Sequence, residues 1–101
     1  MASGGAQPEQ GRERAAPETL APITFGTLVL SLSSSALVEL GIAPAPGESA
    51  PAAPNLPAAQ QTIEILEMLR DKTRGNLTPE ESDLLDGLLY ELRIKYVRAV
   101  G

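Results

Sequence analysis

An all-α fold is predicted by three features of the sequence. Apolar residues recur at helical spacing in three separate stretches. Each stretch is preceded by a good helix-capping residue, and the last two are joined by a link of only a few residues. The link is Lys72-Thr73-Arg74-Gly75-Asn76-Leu77-Thr78-Pro79-Glu80-Glu81. Gly75 suits the left-handed residue that closes a helix, because it has no Cβ to clash there. Thr78 is a good N-cap, Pro79 fits the first helical position, and Glu81 completes a capping box. A link this short folds two helices back antiparallel. The expected architecture is a buried N-terminal helix plus an antiparallel helical hairpin, behind a disordered N-terminal tail.

The tail is residues 1–21, rich in Ala, Gly, Gln, Glu and Pro and almost free of large apolar side chains. Such a stretch buries too little surface to offset its ordering entropy. Residues 22–101 are expected to form one small helical domain.

The first helix is expected from about Thr24 to Leu40, with Thr24 as N-cap and Gly41 beyond the end. At 100° per residue, Phe25, Leu28, Val29, Leu32, Ala36 and Leu40 share one face. A second stripe, Gly26, Leu30, Ser33 and Leu37, lies about a third of a turn away. The only charge in this helix is Glu39. With no charged face to offer water, it is expected to be buried on most sides, and its Gly and Ser positions permit close approach. Residues 42–54, mostly Ala, Pro, Gly and Ser, read as an extended linker.

The second helix is expected over about 55–74, capped by Asn55, with Pro57 tolerated in its first turn. Ala58, Ala59, Thr62, Ile63, Ile65, Leu66, Leu69 and Thr73 form a broad stripe, opposite Gln60, Glu64, Glu67 and Asp71. The third helix, about 79–100, starts with Glu80, Glu81, Asp83 and Asp86 and ends with Arg93, Lys95 and Arg98, as a helix dipole favours. Its main face is Leu84, Leu85, Leu88, Leu89, Leu92, Tyr96 and Ala99. A second stripe carries Gly87, Tyr90, Ile94 and Val97. A mid-helix Gly costs on the order of 1 kcal/mol relative to Ala. Either something approaches Gly87 closely or the cost is tolerated.

Composition narrows the function classes. The chain has 101 residues and a net charge of −5, which argues against a general nucleic-acid binder, since phosphate neutralisation needs clustered Lys and Arg. Cys and His are both absent, which removes thiol nucleophiles, thiolate zinc sites, the commonest general base and the commonest metal ligand. The aromatic residues are Phe25, Tyr90 and Tyr96, too few for a base-stacking platform. No enzymatic activity, cofactor or metal is expected.

Individual motifs give the same reading. Glu80, Glu81, Asp83 and Asp86 sit where a helix start favours acids, which accounts for them better than a metal site does. Ser33-Ser34-Ser35 lacks a nucleophile elbow and a His partner. Asn76-Leu77-Thr78 has the form of a glycosylation sequon, but Thr78 is better explained as a cap. Arg70, Lys72 and Arg74 could hold an anion, although adjacent acids oppose that field.

The uncharged run Thr19 to Val38 follows Arg12 and Arg14, and Ala43-Pro44-Ala45 has the form of a small-residue cleavage site. Glu9, Glu13, Glu18, the early Pro22 and the Thr and Ser content make it a poor signal or span. A membrane anchor through residues 19–38 is therefore the weaker alternative, and a cytoplasmic location is expected.

The helices carry more apolar surface than one small hairpin covers. A homo-oligomer is expected, with Gly26, Leu30, Ser33, Leu37, Gly87, Tyr90, Ile94 and Val97 as the interface. The role expected is a non-enzymatic interaction or assembly module; no other protein partner is specified.

The run Phe25-Gly-Thr-Leu-Val-Leu-Ser-Leu-Ser-Ser-Ser-Ala36 to Leu40-Gly41 resembles the first half of the DUF1844 family. Gln61-Thr-Ile-Glu-Ile-Leu-Glu-Met-Leu69, the link from Lys72 to Glu81, Leu88-Leu-Tyr-Glu-Leu-Arg93 and Tyr96 resemble its second half. The resemblance spans about Phe25 to Val97 and treats the Ala/Pro linker as a variable insert. It implies a small bacterial helical protein with no assigned catalytic residues. It also implies, in some bacteria, a gene neighbourhood of translation factors and ribosomal proteins, and so an alternative role as an accessory factor of translation contacting ribosomal protein or RNA.

Overall fold

The computed structural model describes residues 22–101. The tail expected over 1–21 lies outside the described residues. Three helices follow in order: α1 (Phe25–Glu39), α2 (Leu56–Lys72) and α3 (Pro79–Val100), and the described residues contain no strand.

Each helix begins where a side chain captures an otherwise unpaired N–H group. The Thr27 N–H donates to Thr24 Oγ1 at 3.0 Å, and the Ala58 N–H donates to Asn55 Oδ1 at 3.2 Å. At α3 the capping box is reciprocal. The Glu81 N–H donates to Thr78 Oγ1 at 3.1 Å, and the Thr78 N–H donates to Glu81 Oε1 at 2.9 Å. A side-chain cap of this kind contributes on the order of 1 kcal/mol. The turn before it passes through Gly75 at φ +85°, a left-handed conformation that costs any residue with a Cβ.

The end of α1 is closed by a Schellman motif. The Ile42 N–H donates to the Leu37 carbonyl and the Gly41 N–H to the Val38 carbonyl, both at 3.0 Å, with Gly41 at φ +76°. Residues 42–54 contain no helix or strand, as expected, but they do not run extended. The Asn55 N–H donates to the Glu39 carbonyl at 2.7 Å, so the segment leaves α1 and returns to its end. A Cβ on Gly41 would lie 3.0 Å from Pro54 Cγ and 3.1 Å from the Ala52 carbonyl oxygen. Gly41 is thus constrained by space as well as by φ.

All three helices meet at one core. It is built from Val29, Ala36 and Leu40 of the first segment, Ala59, Ile63 and Leu66 of α2, and Leu85, Leu89 and Leu92 of α3. Fully burying a Val, Leu or Ile contributes roughly 1.5–3 kcal/mol. Across the α1–α2 seam, Thr62 Oγ1 donates to Glu39 Oε1 at 2.7 Å, which satisfies a buried hydroxyl. Across the α2–α3 seam, Arg93 Nη2 and Nε approach Glu67 Oε2 at 2.7 and 3.0 Å, and Tyr96 donates to Gln60 Oε1 at 3.2 Å.

The buried line of α1 falls between the two stripes read from the sequence. Val29 and Ala36 come from the first stripe and Ser33 from the second. Leu28, expected on the main face, is 40% exposed at one edge, and Leu30 is 50% exposed at the other. The cause is that α1 contacts both partners, so its burial centres on the groove between them. On α3, Ala99 is exposed although it continues the main apolar face.

Candidate interaction surfaces

The eight residues expected to form an interface separate into two groups. Those on α1 turn mostly inward. Ser33 is buried, Leu37 packs against the core, and Gly26 is half-buried beside α3, where a Cβ would lie 3.6 Å from Leu84 Cδ2. The small residues of α1 therefore serve close packing within the chain, and Ser33 has no surface to give to a second molecule. Leu30 alone among the four stays exposed.

The α3 group turns outward. Tyr90 is 64% exposed and Val97 67%, with Gly87 exposed and Ile94 half-buried. Nothing lies within 4 Å of where a Cβ on Gly87 would sit. The close approach that would account for a mid-helix glycine is not made by any other part of the described chain. The spacing of these residues is that of a seam: steps of three, four and three keep a line on one side of a helix. This line lies away from Leu85, Leu89 and Leu92, the fully buried face of the same helix.

Other exposed apolar side chains lie on α2, where Met68 is 52% and Ile65 37% exposed. The stripes read from the sequence leave Met68 out and place Ile65 on the packed side; their i, i+3 spacing, off the buried line of α2, is the signal that pairs them. On α1, Ser31, Ser34 and Ser35 form a shallow groove with Ala43, Pro44 and Pro46 of the returning loop. It is the loop's closure, invisible in composition, that builds this groove.

Two of the polar candidates, Glu81 and Arg74, are engaged locally. Glu81 is held in the capping box. Arg74 pairs with Asp71 at 2.9 Å, and Asp86 lines the same recess as Arg70 and Arg74, so acids stand beside the basic turn. Among the described residues, no three His, Cys, Asp or Glu gather as a metal-holding group. Among the described residues, too, no helix is long and apolar enough to cross a membrane.

The helix order, the capped α2–α3 link and the packed face of α1 all fall within a family match. The model of a domain of unknown function, DUF1844, matches residues 22–98. The chain belongs to the DUF1844 family. The match takes in the whole core of this DUF1844 chain, the returning loop included. No curated protein and no solved structure matches it. The outward stripe of α3, Gly87 to Val97, lies inside the DUF1844 match.

Proposed function

We propose that this DUF1844 chain is a non-enzymatic helical module that works by self-association in the cytoplasm, presenting a joint surface for assembly. The observation that carries the reading is the α3 stripe. Tyr90 and Val97 stay mostly in water on a helix whose other face already fills the core. A small domain without a disulfide has little stability in reserve, and covering such a stripe with a second chain adds to it. The absence of His and Cys from the sequence favours a binding role over a catalytic one. Light scattering on the purified chain tests the reading: a mass above the 10.6 kDa of one chain is expected at micromolar concentration, and a single-chain mass contradicts it.

A second reading, an accessory factor of translation, draws on the exposed Lys72 and Arg74 at the end of α2. Asp71 beside Arg74 weakens it. Salt-sensitive co-sedimentation with ribosomes, lost in Arg70→Ala/Arg74→Ala, supports that reading; no co-sedimentation at low salt removes it.

A further inference from the structure

The outer face of α3 carries more information than its apolarity. Its first half carries Glu80, Asp83 and Asp86; in its second half Arg98 is the cation without an ion-pair partner among the described residues, Arg93 being paired with Glu67 of α2 and Lys95 with Glu91. Asp83, Gly87, Tyr90, Ile94 and Val97 follow steps of four, three, four and three, a seam of the kind that runs along paired helices. An interface between two copies of one chain must be complementary to itself under a two-fold axis. This face meets that condition in only one sense. Set parallel, two copies of α3 bring Asp83 against Asp83 and Arg98 against Arg98. Set antiparallel, they bring Asp83 of each against Arg98 of the other.

We propose that a second copy of this chain docks on the outer face of α3, antiparallel, about a two-fold axis beside Tyr90. In this register Gly87 lies opposite Ile94 of the second copy, and Asp83 lies opposite its Arg98. The empty space over Gly87 receives the partner Ile94 side chain, which accounts for a glycine in the middle of a helix where the chain itself needs none. Tyr90 and its symmetry mate flank the axis and cover each other. Asp83 and Arg98 are both exposed and close the two ends of the seam with opposite charge. Arg93 and Lys95 already have partners within the chain, Glu67 and Glu91, which leaves Arg98 as the basic residue that faces the second copy. The proposal rests on the self-association reading and adds to it the surface, the direction and the register.

The chain contains no cysteine, so single introduced thiols report contacts cleanly. Under mild oxidation, Tyr90→Cys crosslinks to itself. A mixture of Gly87→Cys and Ile94→Cys gives a mixed dimer, whereas Leu30→Cys stays uncrosslinked. Asp83→Arg and Arg98→Asp each weaken association several-fold, and the two changes combined restore it, with helicity by circular dichroism unchanged throughout. Ile94→Cys crosslinking to itself, rather than to Gly87→Cys, overturns the antiparallel register. An oligomer by light scattering whose only crosslink is Leu30→Cys moves the interface to α1, so that the register fails while self-association stands. A single-chain mass for the unmodified protein removes both.

Discussion

The two sides of α3 are built from the same kinds of residue and meet different fates. Leu85, Leu89 and Leu92 are fully buried against α1 and α2, and Leu84, Leu88 and Tyr96 pack at the edges of that core. On the other side, Tyr90, Ile94 and Val97 repeat with the same helical rhythm, yet Tyr90 and Val97 stay exposed and Ile94 is only half-buried. The inner face explains how the chain folds. The outer face leaves Tyr90 and Val97 in water and carries a glycine that a helix interior disfavours. That contrast is the ground for the proposed interface: the stripe is the part of α3 that the fold leaves over.

The contrast is sharpest under substitution. Leu89→Ala on the inner face removes a fully buried side chain and should destabilise the protomer by about 2–5 kcal/mol, read by thermal or denaturant unfolding. Tyr90→Ala, its neighbour on the outer face, should leave unfolding of the dilute chain nearly unchanged while lowering the mass at micromolar concentration. If Tyr90→Ala destabilises the dilute chain as much as Leu89→Ala, the two faces do not divide folding from binding.

Gly87→Ala separates the same two quantities in opposite directions. A Cβ there meets nothing in the chain, so the helix alone should gain on the order of 1 kcal/mol. Association should weaken, because the added methyl occupies the space assigned to a second copy. Increased stability with unchanged association would leave Gly87 as a tolerated cost with no role in contact.

Thr78→Ala tests the hinge that sets both faces of α3 in place. Losing the side-chain half of the capping box should cost about 1 kcal/mol, with no change in mass beyond that effect. The smallest effect is expected at the α2–α3 seam. Glu67→Gln breaks a half-exposed ion pair with Arg93 and should cost roughly 0.2–1 kcal/mol, falling as salt is raised.

Much of this frame can be read before any coordinates. Thr24, Asn55, Thr78 and Glu81 announce the helix starts through local hydrogen bonds, which depend on neighbours in sequence alone. Gly75 and Gly41 announce the turns through φ. Packing is harder to read. Periodicity tells which residues of α1 share a side, but the direction of burial depends on where two other helices stand. Ser33 therefore goes into the core, and Leu28 ends at an edge. The loop over 42–54 has the composition of a spacer, and only the bond from Asn55 back to Glu39 shows that it closes on itself. The outer stripe of α3 was legible because it needs no partner within the chain to define it. The inward turn of Gly26, Ser33 and Leu37 was not, since small residues suit contact within a chain and between chains alike.

The most direct test is the mass of the chain in solution beside that of a variant with charges placed on the stripe. Tyr90→Glu combined with Ile94→Glu should bring an oligomer down to the 10.6 kDa single chain while its helical signal is retained. If the unmodified protein already sediments as a single chain, or if the double variant keeps its assembly and its stability, the outer face of α3 is not where this molecule binds.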